Sequence, residues 1–394
     1  MSKLIHRHLA ETSVRTLEEI FEGGAAADRA TGRALGAHRK WGARDRAFFA
    51  DTVYEVVRWR RRLAFLAGAE NLWSLAGLHW SLRGLPRPEW ATWPDTSPAL
   101  LEERTAALAT APHAVRESLS DELDALGSGA QWAVEIAAQN KQAPVFLRVN
   151  PRRASLPEVL GELVELGLTA TPVEGAPLAL QLPPGRTVPP RLTQSGRYEI
   201  QDAGSQQVAP FVMAEPGHVV LDVCAGAGGK LLHLDALLHG RGELHAFDIA
   251  PAKLSTLRQR AARAGVRVQT HDATPEVFSR FAAAGHRVLV DAPCTGSGTL
   301  RRQPDLKYRI TAASLAQSVA LQREILTRSA RLVQPGGKLI YATCSLLPAE
   351  NEEQSAWFGA QFSDFTLEYE RRISCAATGW DGFYMARWSY SPSG

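Results

Sequence analysis

The chain has 394 residues, 45% apolar and 22% charged, with a net charge of +3, a balance that describes a folded protein of two or three domains and excludes a disordered chain. So small a charge leaves any nucleic-acid surface to local clustering. Four cysteines without disulfide-framework or metal-ligand spacing imply free thiols, no metal site and a reducing, cytoplasmic setting, while no signal-peptide core or apolar run of ~18 residues predicts secretion or a membrane span.

Residues 1–140 read as an all-α domain. Leu17, Ile20 and Phe21, then Phe48, Phe49, Val53, Val56 and Val57, have the spacing of amphipathic helices. Within it, HRKWGARDRAFFADTVYEVVRWRRR (38–62) carries eight Lys/Arg against three Asp/Glu. On charge alone this reads as a solvated helix face, with a phosphate-contacting surface as the alternative. Trp73, Trp80, Trp90 and Trp93 lie among Pro86, Pro88 and Pro94. The prolines argue against a long helix there, and buried loop anchors are the commoner fate of such tryptophans.

Residues 141–205 change texture to a small α+β segment. PVFLRVN (144–150) and LALQLPP (178–184) read as strands, SLPEVLGELVELG (155–167) as a helix ending at Gly167, and Pro189 and Pro190 mark a connection. From 206 to 394 strands and helices alternate. The strands are VVLDV (219–223), ELHAFD (243–248), VRVQTHD (266–272), HRVLVDAPC (286–294) and KLIYATCS (338–345). The helices are 230–240, 251–265 and 314–333, with a turn at PGG (335–337). Alternation of this kind predicts a parallel, doubly wound α/β sheet with Rossmann-like crossovers, whose ligand lies beyond the carboxyl ends of the strands.

The unusual residues fall at those ends. DVCAGAGGK (222–230) is a glycine loop in which Gly226, Gly228 and Gly229 allow close backbone approach. It departs from the dinucleotide fingerprint, because Leu231 stands at the third glycine position. Asp248 ends the second strand, where a carboxylate can accept from ribose hydroxyls; Asp272 ends the third, placed for an adenine amino group; Asp291 ends the fourth. Any one of them can be a helix cap, but three after a glycine loop read as a nucleoside pocket suited to S-adenosylmethionine. Cys294 and Cys344 also follow strands and can converge there. A lone free cysteine is usually a small buried hydrophobe; a pair at one ligand-bearing edge suggests covalent chemistry. A thiolate adding to carbon 6 of a cytosine activates carbon 5 toward a methyl sulfonium, a nearby acid such as Asp291 balances the ring charge, and a second cysteine can remove the carbon-5 proton.

DVCAGAGGK, DAPCTGSGTLRRQPD (291–305), PGGKLIYATCSLLPAENE (335–352) and DGFYMAR (381–387) resemble the Sun/Nop family of RNA cytosine-5 methyltransferases. ARDRAFFADTVYEVVRWRRRL (43–63) resembles the NusB-like RNA-binding domain carried by its Fmu type, which acts on small-subunit ribosomal RNA, and YEIQDAGSQQVAP (198–210) the family's entry into the catalytic domain. The resemblance implies Cys344 as nucleophile, Cys294 as the group assisting release, and a cofactor cradle of Cys224, Ala225, Gly226, Ala227, Gly228, Gly229 and Lys230, with Lys230 also facing the target base. It makes the segment before residue 63, around Arg58, Arg60, Arg61 and Arg62, an expected RNA contact, and 141–205 an RNA-recognition segment. Ala227 replaces the family's usual proline, Leu231 its threonine, and Gln303 and Tyr308 its asparagine and tryptophan near the expected path of the target strand. Ribosomal RNA is the first expected partner and transfer RNA the second. A noncatalytic ribosome assembly factor and a dehydrogenase-type Rossmann protein are the competing readings, disfavoured by the retained thiols and by the glycine spacing.

Overall fold

The computed structural model describes residues 5–86, 88–90, 97–127, 129–186, 188–189 and 194–392; Trp93, Pro94 and Pro190 lie outside them. The chain forms two compact units. One comprises Met1–Lys141 with Thr299–Ala312, the other Gln142–Gly298 with Ala313–Gly394.

In the first unit, helices Arg7–Phe21, Ala27–Ala37, Ala43–Arg58, Arg60–Ala67 and Leu72–Leu82 enclose Leu17, Phe49, Val53, Val56, Leu75 and Trp80. The Asn71 side chain caps the last of these at Ser74 N (2.9 Å), and the helix stops before Pro86. Trp80 is a buried anchor whose Nε1 donates to Thr52 Oγ1 at 2.9 Å. The basic run breaks at Trp59 between two helices, and its second half serves the unit itself. Arg58 is buried and donates to Glu55 (2.9 Å) and to the Arg301 carbonyl (3.0 Å). Arg60 covers the Phe21 ring at 4.3 Å, Arg61 donates to the Leu119 carbonyl and Asp121 at 2.7 Å each, and Arg62 lies over Trp59 at 5.1 Å. All four arginines meet carbonyls, carboxylates or rings of their own unit; Arg58 is buried, whereas Arg60, Arg61 and Arg62 stay part-exposed. Arg39, Lys40, Arg44 and Arg46, at the other end of the run, are exposed.

Residues 299–312, which the sequence places within the α/β region from 206 to 394, complete this helical unit. Lys307 is buried, and its Nζ donates to the carbonyls of Arg58 and Glu117 (both 2.9 Å) and to the Asn140 side chain. Burial pushes its ammonium well below the ordinary lysine range. Tyr308 packs edge-on to Phe21, with centroids 5.8 Å apart, and Gln303 is exposed.

The second unit contains two sheets. The smaller is antiparallel, in the order β2 (Thr171–Val173), β3 (Ala176–Leu182), β1 (Val145–Val149), β4 (Tyr198–Ile200). Its helix, Leu156–Glu165, begins in a Ser155/Glu158 capping box and is followed by Gly167 at φ 70°. The larger sheet contains β5 (Val219–Asp222), β6 (Glu243–Asp248), β7 (Gln269–Asp272), β8 (Gly285–Asp291), β9 (Val333–Thr343), β10 (Phe365–Ile373) and β11 (Phe383–Tyr390). Their order is β10-β11-β9-β8-β5-β6-β7, with β5 to β9 parallel and β11 antiparallel to both its neighbours, β9 and β10. This is the Rossmann-like methyltransferase fold. The PGG expected to make a turn lies inside β9, where Gly336 at φ 77° and a register shift opposite Gly285 form an irregularity in the strand. Helices Gly229–Leu237, Pro251–Ala264 and Ala312–Ala330 make the crossovers. The chain order reverses at β5, between β6 and β8, so the β5 loop opens onto the switch-point crevice where ligands of such sheets bind. Among the described residues, no helix is long and apolar enough to cross a membrane.

Candidate active site

The loop after β5 turns through two left-handed glycines, Gly226 (φ 54°) and Gly228 (φ 84°). A Cβ at Gly228 would strike Leu257 at 2.6 Å, so close packing on helix Pro251–Ala264 requires glycine there. A Cβ at Gly226 would meet nothing within 4 Å, which leaves the outer side of the loop open to a ligand. Asp248 clasps the loop: its Oδ2 accepts from Gly226 N (2.9 Å) and its Oδ1 from Ala250 N (2.8 Å). It therefore fixes the turn that leads into the following helix, and each oxygen keeps a lone pair for another donor. Asp272 is exposed, in register beside Asp248 on β7.

Two arginines hold the loop from behind. Arg148, buried on β1, donates to the Gly229 carbonyl at 2.6 Å and to the Gln201 side chain. Arg260 donates to the Ala227 carbonyl at 2.7 Å and to Glu199 on β4 at 2.9 Å. Where proline would stiffen the loop, this chain has Ala227 with its carbonyl tied down.

Lys230 Nζ meets Asp291 Oδ2 at 2.5 Å and lies 5.5 Å from the centre of the Phe383 ring. Burial works against the ammonium, but the Asp291 carboxylate outweighs it and raises the Lys230 pKa. Behind the pair is Asp222, 1% exposed, with Oδ1 3.3 Å from Cys224 N. Burial, and then the charge of Asp291, push its carboxyl up to about 7. Burial also raises the Cys224 thiol, so this cysteine is an inert part of the loop.

Cys294 and Cys344, fifty positions apart, bring their Sγ atoms to 3.5 Å. That is hydrogen-bond contact between free thiols, far beyond a disulfide length. The bond to Cys344 and burial hold the Cys294 thiol well above its ordinary value. A buried polar frame fixes both sulfurs. Glu350 accepts from Thr295 N (2.9 Å), Thr295 Oγ1 (2.5 Å) and Gln322 Nε2 (2.9 Å), locking the residue after Cys294. Ser297 Oγ bonds Ser345 and accepts from Leu346 N, and Asn351 bonds Thr343 and the Ser345 carbonyl, locking the turn that carries Cys344.

Asp222, Arg148, Arg260 and Glu350 were not singled out from the sequence. Asp222 and Glu350 lie inside the quoted motifs, and Arg148 is a charge in the middle of an apolar strand, a signal that could have marked it. Arg260 is one of several arginines on its helix, with no local pattern to distinguish it.

The profile of the 16S rRNA methyltransferase RsmB/F family matches residues 210–377, and that of a Methyltr_RsmF/B-like, ferredoxin-like domain matches 124–188. A probable ribosomal RNA small subunit methyltransferase B of Synechocystis sp. is 37% identical over 237 residues, covering 58% of this chain and 52% of that protein. One of Bacillus subtilis is 33% identical over 232 residues, covering 58% and 52%. The chain thus spans about half the length of these relatives. Among solved structures, PH0851 superposes with a TM-score of 0.75 at 23% identity, covering 98% of this chain and all of that one, a likeness of fold. A methyltransferase homolog protein from Pyrococcus horikoshii gives a TM-score of 0.58 at 26% identity, covering 69% and 99%.

Proposed function

We propose that this chain, whose sequence is similar to methyltransferases of the Sun/Fmu type, is an S-adenosylmethionine-dependent RNA cytosine-5 methyltransferase acting on small-subunit ribosomal RNA. The observation that carries this reading is the 3.5 Å approach of Cys294 and Cys344 beside the Lys230–Asp291 pair, at the ligand edge of a methyltransferase fold. The names of the relatives support ribosomal RNA as substrate.

The open glycine loop and its carboxylates fit an adenosine-bearing cofactor. Cys224, Ala225, Gly226, Ala227, Gly228, Gly229 and Lys230 would cradle it, the free lone pairs of Asp248 would take the ribose hydroxyls, and Asp272 the adenine amino group. When bound, S-adenosylmethionine supplies an electrophilic methyl group. Cys344 Sγ adds to carbon 6 of the cytosine, and the ring electrons move to carbon 5. Asp291 accepts from the base's amino edge while the Lys230 ammonium balances charge developing at nitrogen 3. After carbon 5 is methylated, its proton passes to the Cys294 sulfur, the carbon 6–sulfur bond breaks, and the electron pair returns to Cys344. Because its raised pKa keeps Cys294 protonated in the resting site, it must first release its own proton to solvent, and the thiolate so formed is a strong base for the carbon-5 proton. The helical unit and the small sheet supply RNA-binding surface.

The test is a denaturing gel after incubation with RNA and S-adenosylmethionine. Cys294→Ala is expected to methylate once and stall as a covalent protein–RNA adduct, and Cys344→Ala to give neither product nor adduct. An adduct from Cys344→Ala instead would reverse the two roles.

A further inference from the structure

Three arginines line one cavity on the far side of the second unit, away from the cysteines. Arg152, Arg153 and Arg197, with Ser195, Ala264 and Gly265, line an open depression of about 530 Å³. It lies where helix Pro251–Ala264 ends. Fourteen residues at 1.5 Å each place that end about 20 Å from the strand end that carries Asp248, at the opposite edge of the sheet.

Each arginine is anchored from behind. Arg152 binds the buried Asp235 carboxylate, Arg153 Nε donates to the Ala264 carbonyl at 3.0 Å, and Arg197 stands 3.6 Å from Glu162. Asn150 ties the neighbouring carbonyls of Gly196 (3.1 Å) and Ala264 (3.4 Å) together. Asp235, Glu162 and the more distant Glu158 offset the charge of the three guanidinium groups from behind, while the guanidinium groups themselves line the depression. Arg197 Nε is buried and has no hydrogen-bond partner among the described residues, while the rest of its guanidinium is part-exposed. The glycine at 265 belongs to the same design: a Cβ there would lie 2.6 Å from the Arg153 guanidinium and force it aside.

We infer that this cavity binds a phosphodiester of the RNA remote from the target nucleotide. Guanidinium forks match phosphate oxygens bidentately. At about 3.4 Å per nucleotide of stacked strand, a 20 Å offset corresponds to about six nucleotides. The cavity therefore lengthens the RNA footprint and reads backbone position rather than sequence. The inference rests on RNA being the substrate.

The experiment measures RNA affinity against salt for the full chain and for its Arg153→Gln/Arg197→Gln variant, with oligouridylates of about 20 and about five nucleotides. Each single-strand phosphate that is no longer neutralised lowers the log–log slope by about 0.7. The variant is expected to lose about 0.7 to 1.4 from the slope with the long RNA and nothing with the short one. Unchanged S-adenosylmethionine affinity and melting temperature show that it is folded. An unchanged slope with the long RNA overturns the inference. So does stabilisation of the wild type by inorganic phosphate with no loss of RNA slope in the variant, which marks a small-anion pocket. Absence of RNA binding by the wild type at any salt concentration overturns the proposed function as well.

Discussion

Asp222 offers a quantitative check on the electrostatics of the site. Its carboxyl is buried behind the Lys230–Asp291 pair, with Cys224 and Asp248 also facing it, and titrates at about 7 instead of 3.8. The folded state therefore holds this proton more tightly than the unfolded chain. Below about pH 4 both states are protonated and the group is neutral to stability. Between about pH 4 and pH 7 the unfolded state loses the proton first, so stability falls as pH rises. A shift of about three units at 1.36 kcal/mol each amounts to about 4 kcal/mol lost by pH 8. Asp222→Asn keeps the shape and an oxygen for Cys224 N while removing the titration. Its stability relative to wild type should rise by about 4 kcal/mol between pH 4 and pH 7 and then level off. Urea unfolding followed by circular dichroism across that range measures the gap, and any fixed cost of the amide cancels in the comparison. A gap that stays constant with pH would refute the account: it would mean that Lys230 stabilises the Asp222 carboxylate as well as water does.

Removing the Arg260 tether should loosen the glycine loop. Arg260→Ala is expected to weaken S-adenosylmethionine binding about tenfold by calorimetry, the low end for a hydrogen bond from a charged group because Arg148 still holds Gly229; unchanged affinity would show that Ala227 needs no support. In the helical unit, charge reversal at exposed Arg39, Lys40 and Arg44 should lower the salt slope of RNA binding by about 0.7 for every phosphate these side chains neutralise. An unchanged slope there would leave the basic run without an RNA role.

The parallel sheet could be read from the sequence because strands buried on both faces are apolar runs, as in VVLDV and HRVLVD, bounded by glycine and aspartate. The edge strand β10 could not. Phe365–Ile373 is exposed at every position but its two ends, and FTLEYERRI carries neither an apolar run nor a buried alternation. The two thiols and the acidic strand ends were visible because strand termini share one edge whatever their separation in sequence. The inward bonds of the arginines at 58–62 could not be read, because charge alone cannot tell a guanidinium bound to a carbonyl from one facing water. The place of residues 299–312 depended on Lys307, whose three acceptors lie 167 or more positions upstream, a separation no local pattern encodes.

That long reach has a consequence for how the molecule is made. The ammonium that completes the helical core is translated about 170 residues after Lys141, so at about 5–20 residues per second the core waits roughly 10–30 s on the ribosome. Throughout that interval the carbonyls of Arg58 and Glu117 and the Asn140 side-chain oxygen lack the ammonium that joins them, although Asn140 Nδ2 can already bond Glu117. The nascent helices must stay soluble with an unfilled slot while β5 to β8 of the other unit are already being synthesised. Vectorial order is thus inverted: the part of the chain synthesised first reaches its final packing only after the loop bearing Cys294 has emerged.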